Sequence, residues 1–139
     1  MTVTDYNKPL PPISPDSQPY WDAAKEHRLT AQRCDDCEKL RFPPVNSCWY
    51  CLSPNTTWIE LSGRGTVWSY IIMHQPYYQG FIGELPYPIC VVETEEGLRF
   101  ISNLVNIDNA EIEIGMPIEV VFDDVTDEVT LPKFQPAST

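Results

Sequence analysis

Cys34-Asp-Asp-Cys37 and, after ten further residues, Cys48-Trp-Tyr-Cys51 form the stretch of sequence that decides the fold. A Cys-x-x-Cys turn places two sulfur atoms on the same side of a short bend, so two such turns supply four thiolates to one tetrahedral metal ion. Thiolate is a soft ligand that suits zinc, and a shell of four cysteines leaves no open position for a substrate. The pattern therefore predicts a structural Zn²⁺ site with all four sulfur atoms as ligands.

Two disulfides, or a redox pair of the thioredoxin type, would use the same cysteines. The segment Met1-Thr-Val-Thr-Asp-Tyr6 has no features of a secretory signal, and neither pair lies in a βαβ pattern, so both alternatives are disfavoured. A fifth cysteine, Cys90, lies in the apolar run Ile89-Cys-Val-Val92, where a free thiol behaves as a small core residue. A nucleophile is the alternative role for Cys90.

Length and charge limit the classes of function. The chain has 139 residues, about one domain, and a net charge of −11. This charge argues against a nucleic-acid partner, since lysine and arginine contacts to phosphate supply most non-specific affinity. No stretch approaches the length of a membrane span, so no membrane partner is expected. Reduced cysteines without a signal peptide predict a cytoplasmic protein.

The charges are unevenly distributed along the chain. Twelve of the twenty acidic residues lie between Glu84 and Glu128, where Arg99 is the only base. Five bases instead surround the first cysteine pair, namely Lys25, Arg28, Arg33, Lys39 and Arg41. An anionic ligand is therefore expected near this basic cluster. The alternative is that these bases offset the two net negative charges of a four-thiolate zinc site and the nearby acids.

The chain is expected to be mainly β, in three parts. Residues 1–16 are proline-rich and predict an extended arm. Residues 17–57 should hold a helix, capped by Ser17 with Pro19 in its first turn and ending before Thr30, and then the cysteine-bearing strands. Residues 58–136 predict five or six strands without a crossover helix, which favours a small closed β-barrel of the OB type.

The order of several further segments carries a resemblance to a known family. They are Pro19-Tyr-Trp21, Gln32-Arg-Cys34, Leu40-Arg-Phe-Pro-Pro44, Leu61-Ser-Gly-Arg-Gly-Thr-Val67 and Ile114-Gly-Met-Pro-Ile-Glu-Val120. Together with the cysteine pairs, this order resembles the DUF35 family over residues 17–136. The resemblance implies a rubredoxin-like zinc ribbon joined to an OB-fold.

The resemblance to DUF35 also implies a function. Family members assemble with thiolase-like enzymes, which include thiolases, acyltransferases and the side-chain aldolases of steroid degradation, or with hot-dog-fold enoyl-CoA hydratases. They help to hold CoA while the partner carries out the chemistry. The resemblance thus implies a non-catalytic acyl-CoA-binding and scaffolding subunit, in a hetero-oligomer with one of these enzymes, in lipid or steroid metabolism.

A CoA site needs cations for phosphate and a flat apolar surface for adenine. Six residues near the cysteine pairs supply these groups and form the candidate CoA-binding set: Trp21, Lys25, Arg28, Arg33, Arg41 and Phe42. The alternative for the two aromatic residues is packing between helix and ribbon, because large aromatic side chains are mostly buried. Arg64, between two glycines, is either a ligand contact or a solvated turn residue.

A long segment between the expected strands, residues 75–88, is rich in aromatic residues, and loops of this length in compact domains are usually functional. Its rings belong to Tyr77, Tyr78, Phe81 and Tyr87. They either form an exposed patch for a partner subunit or plug the barrel. His74, beside the segment, is the histidine best placed for acid–base work, although no nucleophile is visible near it. His27 is expected to face solvent.

Two other classes of function compete with the accessory subunit. A free-standing acyl-CoA hydrolase or transferase needs a catalytic constellation, but no Gly-x-Ser-x-Gly, phosphate-loop or His-Glu-x-x-His motif occurs. A single-stranded nucleic-acid-binding zinc-ribbon/OB protein fits the architecture, but it needs a basic groove with stacking rings, which the acidic barrel half opposes. No catalytic residue is therefore assigned.

Overall fold

The N-terminal helix α1 spans Gln18–Lys25 in the computed structural model, which describes residues 6–138. Pro19 lies in its first turn and the helix ends before Thr30, as predicted. Ser17 is the N-cap residue, but its hydroxyl accepts a hydrogen bond from the backbone N–H of Ser14 at 3.0 Å instead of capping the helix. Among the described residues, no helix is long and apolar enough to cross a membrane.

The cysteine segment forms a three-stranded antiparallel sheet, the ribbon. Its strands are β1 (Thr30–Cys34), β2 (Leu40–Arg41) and β3 (Thr56–Glu60), in the order β2-β1-β3. All five residues of β3 pair with β1, from Thr30 opposite Glu60 to Cys34 opposite Thr56. The predicted division into residues 17–57 and 58–136 therefore falls inside a strand of the ribbon.

The second sheet curls into a nearly closed five-stranded barrel of the OB type. Its strands are β4 (Arg64–Met73), β5 (Tyr87–Thr94), β6 (Arg99–Asn103), β7 (Pro117–Asp124) and β8 (Thr130–Pro136), in the order β6-β5-β4-β7-β8. The outer strands approach each other through a bridge between Leu104 and Phe134 and a 2.8 Å hydrogen bond from the Ser102 hydroxyl to the Pro132 carbonyl. The predicted fold class, with helix, ribbon and barrel, is confirmed.

Alternate residues of the barrel strands fill its core. Val67, Cys90, Val92 and Phe134 are all fully buried. Burial raises the pKa of Cys90 to about 11, so this thiol stays protonated and apolar, which confirms the prediction of a core role. The barrel therefore has a packed interior of its own.

Helix α1 connects the ribbon to the barrel. Its buried face consists of Tyr20, Ala23 and Ala24. At its C-terminal end, the His27 ring stacks on Phe122 of β7 with centroids 5.0 Å apart, and Nε2 lies 3.1 Å from the Asp124 carboxylate. The His27 side chain is half exposed, but it was not predicted to join the helix to β7.

The described part of the N-terminal arm contains neither helix nor strand and lies against the long aromatic segment. That segment contains a 3₁₀-helix, Gln79–Glu84, and a second 3₁₀-helix, Asn109–Glu111, lies between β6 and β7. Lys8 forms an ion pair with Glu84 and its ammonium lies 5.1 Å from the centre of the Phe81 ring. The arm therefore packs on its own chain from residue 6, and the first five predicted arm residues lie outside the described part.

Candidate functional site

The four ribbon cysteines converge at one point. Their Sγ atoms all lie within 4.8 Å of one another, with Cys34 and Cys51 3.5 Å apart and Cys37 and Cys48 3.6 Å apart. A disulfide would bring two sulfurs to about 2.05 Å. Four thiolates around Zn²⁺ at about 2.3 Å would instead lie about 3.8 Å apart. The cluster therefore fits a four-coordinate zinc ion and does not fit two disulfides.

The two cysteine turns have the same backbone conformation. In each turn the carbonyl of the first cysteine accepts a 2.9 Å hydrogen bond, from Glu38 N–H to Cys34 and from Leu52 N–H to Cys48. Glu38 and Leu52 are both left-handed, with φ of 64° and 65°. The left-handed backbone conformation is energetically costly for residues other than glycine. Its recurrence at equivalent positions of the two turns therefore indicates a geometry imposed by the site.

Backbone N–H groups around the sulfurs favour thiolates, the form that binds metal. The Cys37 N–H lies 3.5 Å from the Cys34 sulfur and lowers the pKa of that thiol. Burial raises the pKa of Cys48, but the N–H groups of Cys51 and Tyr50 outweigh this effect and lower the pKa to about 6. Backbone N–H groups at Lys39 and Ser53 act in the same direction on Cys37 and Cys51, but burial and the neighbouring sulfurs outweigh them and raise the pKa of both thiols. The donor set and its geometry therefore carry the assignment of structural Zn²⁺, whose binding deprotonates its cysteine ligands.

Acidic residues of the first turn tie the two turns together. The Ser53 hydroxyl and the Asn55 side-chain amide both donate to the Asp36 carboxylate, and these bonds lower the pKa of Asp36. The Thr57 hydroxyl donates to Asp35 at 2.6 Å. These hydrogen bonds fix the loops that carry the sulfurs, as outer-shell groups commonly do in metal sites.

Two of the six candidate CoA-binding residues meet in a groove between α1, the ribbon and the barrel. This aromatic groove has a volume of about 300 Å³ and is lined by Trp21, Phe42, Ile101, Pro132 and Lys133, among others. Phe42 stacks on Phe100 of the core, with ring centroids 3.9 Å apart and an interplanar angle of 8°. Phe42 therefore combines parts of both expectations for the aromatic residues, because it packs on the core and also lines a groove that a ligand could enter.

The four candidate cations do not converge on that groove. Arg41 is only 1% exposed, and its guanidinium donates to the Thr56 hydroxyl while Nε and Nη1 have no partner among the described residues. Gln32 of β1 pairs with Arg41, so these two side chains lie on the same face of the ribbon. Arg33, the next residue of β1, is exposed and points to the opposite face. A role for Arg41 in direct contact with CoA therefore requires the ribbon to open.

The other two cations lie at the C-terminal end of α1. Lys25 is exposed in the last turn of the helix, four residues after Trp21, so the two side chains lie on the same face. Arg28 is 3.0 Å from Glu26 and 3.6 Å from Glu60, which offsets part of its charge. Lys25 is consequently the candidate cation with the most direct access to a ligand beside Trp21.

The sequence interpretation missed Lys133, the cation that lines the groove. Lys133 lies 2.6 Å from Asp123 on the neighbouring strand. The alternation in β8 predicts that Lys133 points away from the core, because Phe134 points inward. Its place in the groove depends on how α1 lies across the barrel, and no local pattern contains that information.

The aromatic segment is largely exposed. Tyr77 and Tyr78 are 74% and 58% exposed, and Phe81 stacks on Tyr87 with ring centroids 5.2 Å apart. None of these rings belongs to the buried core cluster of the described residues, so the exposed patch fits them better than a barrel plug. His74 is exposed, and its ring makes no hydrogen bond within residues 6–138.

Comparison with known proteins gives the same two modules. The model of the ChsH2 rubredoxin-like zinc ribbon domain matches residues 21–57, and that of the ChsH2 C-terminal OB-fold domain matches residues 58–123. A solved chain of an Ltp2-ChsH2(DUF35) aldolase is 42% identical with a TM-score of 0.85, and the match covers 93% of this chain and 100% of that one.

Two curated relatives are longer proteins. The "Probable enoyl-CoA hydratase alpha subunit" of Thermomonospora curvata is 42% identical over 94% of this chain, and the "3-oxo-4,17-pregnadiene-20-carboxyl-CoA hydratase alpha subunit" of Mycobacterium tuberculosis is 38% identical over 84%. The chain spans only 40% and 37% of the lengths of these two relatives. With both ChsH2 modules matched in order and the cysteine site in place, the chain belongs to the DUF35 family.

Proposed function

We propose that the chain is an accessory subunit of an enzyme that acts on acyl-CoA substrates in lipid or steroid metabolism. The observation that carries the proposal is the similarity to a chain of the Ltp2-ChsH2(DUF35) aldolase, which extends over all of that chain. The two hydratase alpha subunits associate the same modules with CoA thioesters. A thiolase-like enzyme is accordingly the first partner to test, and a hot-dog enoyl-CoA hydratase is the second.

The chemistry is assigned to the partner because the reactive groups of this chain are unsuited to a catalytic cycle. A four-sulfur zinc shell has no open coordination position. Cys90 is fully buried with a raised pKa, so it is a poor nucleophile. The exposed His74 has neither a side chain to orient it nor a nucleophile bonded to it among the described residues.

CoA is proposed to bind across α1 and the aromatic groove. Trp21 and Phe42 offer flat apolar surface to the adenine or the pantetheine arm, and Lys25 offers a cation to phosphate one helical turn from Trp21. Arg28 and Arg33 lie outside the groove lining, and Arg28 pairs with Glu26 and Glu60, so neither is given a direct CoA contact. Arg41 contributes by fixing Phe42, its neighbour in the chain, because its own guanidinium is buried.

Co-expression tests the accessory role. The chain is produced with a thiolase-like aldolase or with a hot-dog enoyl-CoA hydratase from the same organism, and each pair is purified through a tag on the enzyme. We expect one enzyme to retain this chain and to turn over its acyl-CoA substrate faster with it than without it. Turnover of acyl-CoA by the purified chain alone, or retention by neither enzyme, would overturn the proposal.

Isothermal titration with CoA tests the ligand site in the complex. Lys25→Ala and Trp21→Ala should each weaken CoA binding by about tenfold, the scale of one charge-assisted bond or one stacked ring. Lys39→Ala is the matched control, because Lys39 lies over the Tyr50 ring at the tip of the second cysteine turn. Equal affinity for all three variants and the unchanged protein would remove the proposed CoA contacts.

A further inference from the structure

The outer face of strands β4, β5 and β6 is mostly apolar. The strand register aligns Val91 with Ile101 in one row, which also contains Ser69, and Ile71 with Ile89 in the next row, which also contains Asn103. Trp68, the extra residue at a bulge in β4, lies beside these rows. We call the five apolar residues, Trp68, Ile71, Ile89, Val91 and Ile101, the outer sheet face.

Both faces of this sheet carry large apolar side chains, which is unusual for an antiparallel sheet of a barrel with a packed interior. Such sheets normally alternate apolar residues inward with polar residues outward. Here the inward residues Val67 and Val92 are fully buried, while Trp68, Ile71 and Ile101 are 47%, 55% and 77% exposed. An exposed apolar surface of this kind marks an interaction site, because leaving it in water is unfavourable.

Acidic residues border the outer sheet face. Glu93 and Glu95 lie at one end of β5, and Glu84 precedes the other end. The loop after β6, which carries Asp108, Glu111 and Glu113, is held beside Pro86 by a 3.2 Å hydrogen bond from Asn109.

Among the described residues, two bases of these three strands lie beside this face, Arg64 of β4 and Arg99 of β6. Arg64 is exposed, and its carbonyl accepts a 3.0 Å hydrogen bond from the Glu95 N–H. Arg99 is already engaged. Its Nε is 3.3 Å from Glu93, and its guanidinium lies 3.9 Å from the centre of the Trp68 ring. Lys8 also pairs with Glu84, so three bases offset part of the charge of the six acids. The rim keeps a net negative charge around an apolar centre.

We propose that the outer sheet face binds a partner protein whose surface has an apolar centre and a rim of lysine and arginine residues. A second copy of this chain would bring two acidic rims together at a net charge of −11 each, and an anionic membrane surface would be repelled in the same way. The inference rests on the proposed function, since it assigns the surface of this chain that contacts the partner enzyme.

The place of Ile101 adds a geometric consequence. This residue belongs to the outer sheet face and also lines the aromatic groove. A partner bound to the face thus lies at the mouth of the groove. CoA in the groove would extend toward the partner without crossing the barrel.

The experiment uses the complex that retains the unchanged chain. Ile71→Glu places a charge on the β4 side of the outer sheet face, away from the groove, and should weaken binding at least about a hundredfold because the carboxylate would be buried unpaired. Leu52→Glu is the matched control, since Leu52 is 79% exposed at the tip of the second cysteine turn. Ile101→Glu is a second face variant, and circular dichroism verifies that all three variants fold.

Several outcomes overturn the inference. If the unchanged chain binds an enzyme and Ile71→Glu and Ile101→Glu bind it equally well, the face is wrong while the accessory role stands. If the unchanged chain binds neither enzyme, the proposed function fails and the inference fails with it. If sedimentation shows a dimer of the chain alone that Ile71→Glu dissociates, the occupant is a second copy.

The charge of the rim has its own test. Glu95→Lys should weaken binding by about two- to fivefold, an effect that added salt reduces. Glu128→Lys, in the turn between β7 and β8, is the control and should bind as the unchanged chain does. Tighter binding by Glu95→Lys would exclude a basic rim on the partner.

Discussion

Replacing Cys48 by serine should remove most of the zinc affinity and unfold the ribbon. The ribbon has little apolar core of its own, since its buried side chains are those of Thr30, Ala31, Gln32, Cys34, Arg41, Cys48 and Ser53. Metal binding in such modules supplies about 10–16 kcal/mol of folding free energy at pH 7. One ligand of four corresponds to about 2.5–4 kcal/mol, or an affinity lower by two to three powers of ten.

Metal content and unfolding measure this loss separately. Zinc per chain is determined after dialysis, and affinity is obtained by competition with a chromogenic chelator. Urea denaturation followed by tryptophan fluorescence then reports unfolding, with Trp49 and Trp58 in the ribbon segment and Trp21 and Trp68 on the helix and the barrel. Cys90→Ser is the matched control, because Cys90 is buried in the barrel and outside the cluster. It should keep one zinc per chain while losing about 1–3 kcal/mol of stability to an unpaired hydroxyl.

Two results would refute the reasoning about the metal. The first is one zinc ion per chain with unchanged affinity in Cys48→Ser. The second is loss of zinc from Cys90→Ser with the ribbon cysteines intact. Loss of zinc from Cys48→Ser without any change in ribbon stability would retain the ligand assignment but contradict its structural role.

Three further effects follow from single contacts. Phe134 is fully buried, so Phe134→Ala should lower the free energy of unfolding in urea by about 3–5 kcal/mol. A Cβ on Gly65 would lie 2.4 Å from a β5 carbonyl oxygen, so Gly65→Ala should lower Tm, whereas Gly83→Ala, with no atom within 4 Å, should not. The Thr130 hydroxyl lowers the pKa of Asp124, so the carboxylate stabilises the fold above its ordinary pKa of 3.8, and this contribution is lost as pH falls through the lower folded-state pKa. Thr130→Val should raise the Asp124 pKa in an NMR titration, and an unmoved titration would contradict the assigned cause.

Local patterns were sufficient for the metal site and the class of fold. The cysteine spacing specifies four sulfurs around one ion, and the β pattern from residue 58 onward specifies strands with short turns. Neither depends on how distant parts of the chain meet. The expected boundary between residues 57 and 58 coincides with the limits of the two matched family models, although β3 crosses it and continues to Glu60 because it pairs with β1.

Burial and facing were harder to predict because they depend on tertiary contacts. Arg41 and Arg33 look equivalent in the sequence, but the pairing of Gln32 with Arg41 turns one inward and the other outward. The run from Val67 to Met73 is almost continuously apolar, and the bulge between Val67 and Ser69 changes which residues face out. The exposure of Ile71 therefore depends on one extra residue that no periodicity reveals.

The zinc site and the aromatic groove are connected through a single residue. Strand β2 ends at Arg41, and the next residue, Phe42, leaves the ribbon to stack on Phe100 of the barrel at 3.9 Å. Because the four sulfurs hold the ribbon in shape, they also hold Phe42 in the groove, although no sulfur lies near a ligand bound there. Removing zinc should then weaken CoA binding without altering any CoA contact directly. The metal would thus support function through the position of an aromatic ring, and a complex that bound CoA equally well after the ribbon had lost its zinc would show that barrel packing alone fixes Phe42.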